Sequence, residues 1–191
     1  MILIVFEGIC GSGKTALTKH LTKKYPFCVR IGEVIDRTGK EMSYEEKKGK
    51  SWRFFVRSDF LKIKIARKFK NKIILLDRWY PSTLLHVLTE KIIKKNAPLE
   101  KIIKSYKKIS KIRNLEVIYV YLDVPVEKSL KRSNLPYDDI HRNIEHLTIE
   151  KLCYDLFFLN RDNVIVISAN RSLKQNLSLI RKKLFELRKK L

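Results

Sequence analysis

The chain has 191 residues, 45% of them hydrophobic, enough for one well-buried domain (residues 1–191) and too few for two of ordinary size. It has no apolar stretch near the roughly 20 residues that span a bilayer and no charged leader, and Cys10, Cys28 and Cys153 form no CxxC or Cys/His cluster. A cytoplasmic protein without membrane contact, disulfide framework or zinc cluster is expected, and its 42 basic against 20 acidic residues, net +22, read first as lysines scattered over solvated helix faces, with a nucleic-acid partner kept open.

The first apolar run, Ile2 to Phe6, predicts a strand. Directly behind it, Gly8-Ile9-Cys10-Gly11-Ser12-Gly13-Lys14-Thr15 has the form GxxxxGK[ST], and the stripe Ala16, Leu17, His20, Leu21 predicts a helix after it. Strand, glycine-rich loop and helix together make a phosphate-binding loop. Backbone N–H groups of Gly8, Gly11, Ser12 and Gly13 would cradle the phosphates of ATP. Lys14 would bridge β- and γ-phosphates, and the Thr15 hydroxyl would hold Mg²⁺. Cys10 lies in this loop near a helix N-terminus and Lys14, a setting that can lower a thiol pKa.

A second strand is expected over Phe27 to Ile31, with Glu33 just beyond it. Trp52, Phe55, Val56, Phe60, Ile63 and Ala66 recur at helical spacing. The third run, Lys72 to Leu76, ends in Asp77-Arg78-Trp79, and Pro81-Ser82 opens the next helix. In open α/β sheets ligands bind beyond the carboxyl ends of the strands, so Asp77 and Arg78 should converge on the phosphate loop. There a carboxylate can hold Mg²⁺ and an arginine can bridge donor and acceptor phosphates.

Glu33 should reach the same crevice, with a role that depends on the acceptor. A nucleoside hydroxyl benefits from a general base within hydrogen-bond reach. A monophosphate, whose second pKa is about 6, needs none, and Glu33 would then orient Mg²⁺, a sugar or an arginine.

Leu99, Ile102, Ile103, Tyr106 and Ile109 mark a further helix, and Val117 to Leu122 a fourth strand. The polar segment Arg132 to Arg142 interrupts the pattern and reads as a short lid, in which Arg132, His141 and Arg142 supply charge. Val164 to Ile167 is the fifth strand. A last helix places Leu177, Ile180, Leu184, Leu187 and Leu191 on one face, to pack across the sheet. Alternation of strand and helix predicts an α/β, three-layer P-loop NTPase fold: a five-stranded parallel sheet with helices on both faces.

FEGICGSGKT (6–15), DRWYPS (77–82), YLDVPVEKSLKR (121–132) and VISANRSL (166–173) together resemble the thymidylate kinases and related deoxynucleoside kinases of the P-loop nucleoside monophosphate kinase superfamily. The resemblance implies Lys14 and Thr15 on ATP and Mg²⁺, Asp77 on the metal, Arg78 on the acceptor, and the loop containing Asn170 against adenine. It also implies acceptor binding by the helix carrying Trp52, Phe55 and Arg57, and a homodimer. The chain departs from thymidylate kinases by Cys10 where they carry aspartate and by Arg53 where they carry a stacking phenylalanine. It departs from deoxynucleoside kinases by DRW where they read ERS. The leading expectation is phosphoryl transfer from ATP to a nucleoside monophosphate, dTMP first. The alternatives are a deoxynucleoside kinase with Glu33 as base and a nucleic-acid-associated P-loop protein such as a polynucleotide 5′-kinase.

Overall fold

Strand β1 (Ile2–Glu7) is buried along its whole length, because both faces of the sheet it centres are covered. Ile2, Ile4 and Phe6 point into one core and Leu3 and Val5 into the other, the period-two alternation of a pleated strand. The computed structural model describes residues 1–47, 50–93, 97–109, 112, 114–132 and 143–191.

Among these, the chain runs β1, α1 (Lys14–Lys24), β2 (Cys28–Ile31), α2 (Tyr44–Lys47), α3 (Trp52–Ala66), β3 (Ile73–Asp77), α4 (Tyr80–Ile92), α5 (Leu99–Tyr106), β4 (Glu116–Asp123), α6 (Val126–Arg132), α7 (Ile144–Phe158), β5 (Val164–Ser168) and α8 (Leu173–Arg188). The strands form one sheet in the order β2-β3-β1-β4-β5, every pair parallel. All strand ends therefore point the same way, and the loops after β1, β2 and β3 meet at one edge. The expected three-layer α/β architecture is what the chain adopts.

On one face, Leu21 of α1 and Ile180, Leu184 and Leu187 of α8 pack on Ile4, Phe6, Leu75 and Val120. A capping box, in which Ser172 and Gln175 bond each other's backbone N–H, starts α8. On the other face, Val56 and Ile63 of α3, Leu85 of α4, Ile102 and Tyr106 of α5 and Tyr154 and Phe158 of α7 cover Leu3, Val5, Ile74 and Tyr119. Two apolar expectations are corrected. Ile103 is 42% exposed and Leu191 lies beyond α8 and is 43% exposed, since α5 and α8 each offer the core only one stripe. No helix among the described residues is long and apolar enough to cross a membrane.

Candidate active site

The chain leaves β1 through a loop whose glycines carry positive φ, 141° at Gly8 and 71° at Gly11. A Cβ on Gly8 would stand 2.8 Å from the Leu122 carbonyl oxygen, and one on Gly11 would overlap the Ser129 carbonyl. β4 and α6 thus press the loop from the side, and the Ser129 hydroxyl donates to the Cys10 carbonyl. Gly13 and Thr15 are exposed at the start of α1, where the helix N-terminus contributes its positive dipole end. Ser12 and Lys14 are buried. The Lys14 ammonium donates to the carbonyls of Gly8 (2.9 Å) and Ile9 (2.8 Å) and to Ser12 Oγ (3.1 Å). Burial, aided by the Arg78 charge and opposed by Asp77 and Glu33, lowers its pKa to about 8.

Beside this loop, β3 ends at Asp77, which is fully buried. Its Oδ2 accepts from Arg30 of β2 at 2.7 Å, while the same guanidinium grips both oxygens of Glu41 at 2.5 and 2.7 Å. Asp77 Oδ1 has no hydrogen-bond partner among the described residues. A buried carboxylate oxygen left over close enough to the phosphate loop to act on Lys14 is a hard donor suited to Mg²⁺ or its water shell, so the donor set fits that ion.

Arg78 turns left-handed, with φ of 62°. Its Nε stands 2.7 Å from Glu33 Oε1, and its Nη1 donates to Tyr154 Oη at 2.9 Å and Ser82 Oγ at 3.2 Å. Burial alone would lower the guanidinium pKa, but Tyr154, Glu33 and Glu150 hold it well above its ordinary value. Lys14, Glu33, Asp77 and Arg78, each expected in one crevice, are brought together there and act on one another electrostatically.

Beneath them lies a polar layer that sequence reasoning missed. Glu7, fully buried, accepts from Trp79 N at 2.9 Å and from the Ser82 hydroxyl, which also meets Tyr154 Oη at 2.8 Å. Burial outweighs these bonds and the charges of Arg78 and Lys14, pushing its pKa up to about 7. Lys62 of α3, 1% exposed, donates to the Arg78 carbonyl at 2.8 Å and lies 3.7 Å from Asp59. Asp59 Oδ2 accepts from Tyr106 at 2.5 Å and from Thr83 at 3.1 Å. The only sequence cue was a charged residue inside an apolar stripe.

The remaining expected residues are placed less decisively. Trp52, with the Arg53 guanidinium 5.4 Å from its ring, leans on the α3–α4 core, Phe55 stacks edge-on with Phe54, and Arg57 is exposed. Arg132 is exposed at the end of α6, one turn beyond Ser129, which touches the loop. Asn170 is exposed just after β5, its N–H on Ser168 Oγ at 3.2 Å. Arg142, His141 and the lid segment 133–142 lie outside the described residues.

A family model described as deoxynucleoside kinase matches residues 4–180. Among solved structures, the chain is similar to a deoxyadenosine kinase from M. mycoides with bound dATP, at TM-score 0.73 and 17% identity over 95% of this chain and 98% of that one. It is also similar to a thymidylate kinase from Candida albicans, at TM-score 0.68 and 16% identity over 97% and 92% of the two chains. The M. mycoides enzyme with bound dCTP gives a TM-score of 0.66 at 15% identity over 97% and 100%. Comparison with curated protein sequences gives no match.

Proposed function

Because the chain belongs to the deoxynucleoside kinase family, we propose that it transfers the γ-phosphoryl group of ATP to the 5′-hydroxyl of a deoxynucleoside, with Glu33 as general base. The observation that carries this reading is the Glu33–Arg78 pair, 2.7 Å apart beyond the ends of β2 and β3. A hydroxyl becomes a competent nucleophile only as its proton leaves, and a carboxylate within hydrogen-bond reach can accept that proton. Glu41 lies alongside, its Oε1 accepting from the Glu33 N–H at 3.2 Å. With Glu33 already paired to Arg78, an uncharged hydroxyl is the acceptor that leaves the pair intact, whereas a phosphate dianion would compete for the guanidinium.

Arg78 then has two tasks. It holds Glu33 in place, and its buried positive charge can stabilise the charge that develops on the transferred group. Lys14 adds a second cation at the loop, and Arg132 and the lid residue Arg142 are proposed to complete the set. Mg²⁺, when bound by Thr15 and Asp77, supplies charge neutralisation on the β- and γ-phosphates. Trp52, Phe55 and Arg57 are proposed to line the acceptor base, and Asn170 to lie against adenine. Leu152 and Leu156, exposed on α7, and Leu159, exposed just beyond it, give the proposed homodimer an apolar face.

Transfer to dTMP, the leading expectation from sequence, would require Arg78 to exchange Glu33 for the acceptor phosphate. Glu33→Gln separates the two. With saturating ATP and deoxyadenosine or deoxycytidine, kcat should fall about 10²- to 10⁴-fold with KM changed only a few-fold. An unchanged kcat would remove Glu33 as base.

A further inference from the structure

Helices α4 and α7 pack with a polar seam between them, built by residues four apart on each. Along α4 these are Ser82, His86 and Glu90; along α7, in the opposite direction, Tyr154, Glu150 and His146. Residues four apart share a helix face, so the two triplets meet rung by rung. Ser82 Oγ lies 2.8 Å from Tyr154 Oη, His86 Nδ1 lies 3.7 Å from Glu150 Oε1, and Glu90 Oε1 lies 3.3 Å from His146 Nδ1. The first rung belongs to the active site. The other two lie one and two turns away, joined to it through the charge of Glu150 on Arg78.

We propose that these two rungs bind a divalent transition-metal cation of the Zn²⁺ class, with His86, His146 and Glu150 as ligands and Glu90 orienting His146. One donor atom from each of the three ligands falls within 4.8 Å of the others. The spacing fits a shared ion. Donor atoms bound tetrahedrally at zinc distances lie about 3.4 Å apart, whereas the 3.7 Å between His86 Nδ1 and Glu150 Oε1 is too long for a hydrogen bond between them. Small side-chain rotations would close the set.

The donor chemistry points the same way. Two imidazoles and a carboxylate suit Zn²⁺ or a neighbouring first-row ion better than the all-oxygen preference of Mg²⁺. Glu90 beside His146 Nδ1 reproduces the carboxylate–histidine relation that orients a ligating ring. His146 is anchored from its backbone as well, its N–H donating to the Asn143 side chain at 2.9 Å at the start of α7. His146 and Glu150 are buried, 2% and 1% exposed, and the His86 side chain, 35% exposed, gives the ion its way in and leaves room for a water as fourth ligand. Two HxxxE pairs facing each other across packed helices resemble the way bundle cores build metal sites. The ion would tie α4 to α7 within one helical turn of Ser82 and Tyr154.

Co²⁺ tests this without reference to catalysis. The full chain, free of nucleotide and in millimolar Mg²⁺ to saturate the phosphate loop, should take up one equivalent of Co²⁺ with the intense visible absorption of a tetrahedral site, and Zn²⁺ should displace it. His86→Leu, at a partly exposed position, should weaken uptake at least about 100-fold. Glu90→Gln should weaken it about 10- to 100-fold while keeping the band. Zn²⁺ should raise the thermal midpoint of the native chain and not of His86→Leu. Glu150→Gln serves as the second ligand variant. Absence of a tetrahedral band in the native chain, or its survival in both His86→Leu and Glu150→Gln, would overturn the assignment.

Discussion

Arg30 and Asp77 meet 2.7 Å apart across β2 and β3, and the same guanidinium takes Glu41 in a bidentate grip. Burial would lower the Arg30 pKa, but the two carboxylates hold it above its ordinary value. One arginine thereby neutralises a carboxylate at the metal position and fixes another beside Glu33. Arg30→Met should cost on the order of 3 kcal/mol in urea unfolding, because Asp77 would be left buried without its cation. Adding Asp77→Asn should return part of that loss.

Lys62 carries a comparable burden beneath Arg78. Its ammonium holds the carbonyl of a left-handed residue, a conformation that costs a non-glycine residue roughly 1–2 kcal/mol. Lys62→Met should lower both stability and kcat. Asp59 is raised in pKa by its burial, so Lys62→Met combined with Asp59→Asn should regain stability in urea titration. The kcat should stay low, since the Arg78 carbonyl still lacks its ammonium donor.

The Lys14 pKa, lowered to about 8 by burial, predicts a proton uptake. Bound phosphates favour the charged ammonium, so ATP binding at pH 8 should take up about half a proton. Calorimetry in two buffers of different ionisation enthalpy measures it directly. Uptake should vanish near pH 6, where the ammonium is already charged.

Glu7 makes stability depend on pH in the direction opposite to an ordinary surface carboxylate. Its folded pKa, about 7, lies above its ordinary value of 4.5. The native state therefore binds more protons between those limits. Its contribution is complete below about pH 4.5 and is lost as pH rises through 7, up to about 3 kcal/mol. The difference in unfolding free energy between the native chain and Glu7→Gln, followed from pH 5 to 8, should shift in favour of the variant as pH rises.

The sheet was legible because apolar alternation and the GxxxxGK[ST] loop are local signals. Strand ends ran one residue further than expected at Glu7, Asp77 and Asp123, since backbone ladders accept a polar residue as readily as an apolar one. Lys14, Glu33, Asp77 and Arg78 were readable from their places after strands. Arg30, Glu41, Lys62 and Glu7 were not, because a lone charge in an apolar run looks the same whether it reaches solvent or finds a distant partner. Arg30 and Asp77 are 47 residues apart, and only the β2–β3 pairing joins them. The seam of His86, Glu90, His146 and Glu150 was hidden for the same reason, its halves lying on helices that sequence spacing cannot pair.

A hydroxyl acceptor and a phosphate acceptor leave different products. ATP consumption, with the product identified, should be measured in parallel with deoxyadenosine, deoxycytidine, thymidine, dTMP, the other deoxynucleoside monophosphates and 5′-hydroxyl oligonucleotides. Turnover with at least one deoxynucleoside, yielding its 5′-monophosphate, and none with monophosphates or oligonucleotides is the predicted result. Turnover of dTMP or an oligonucleotide with no deoxynucleoside accepted would contradict it.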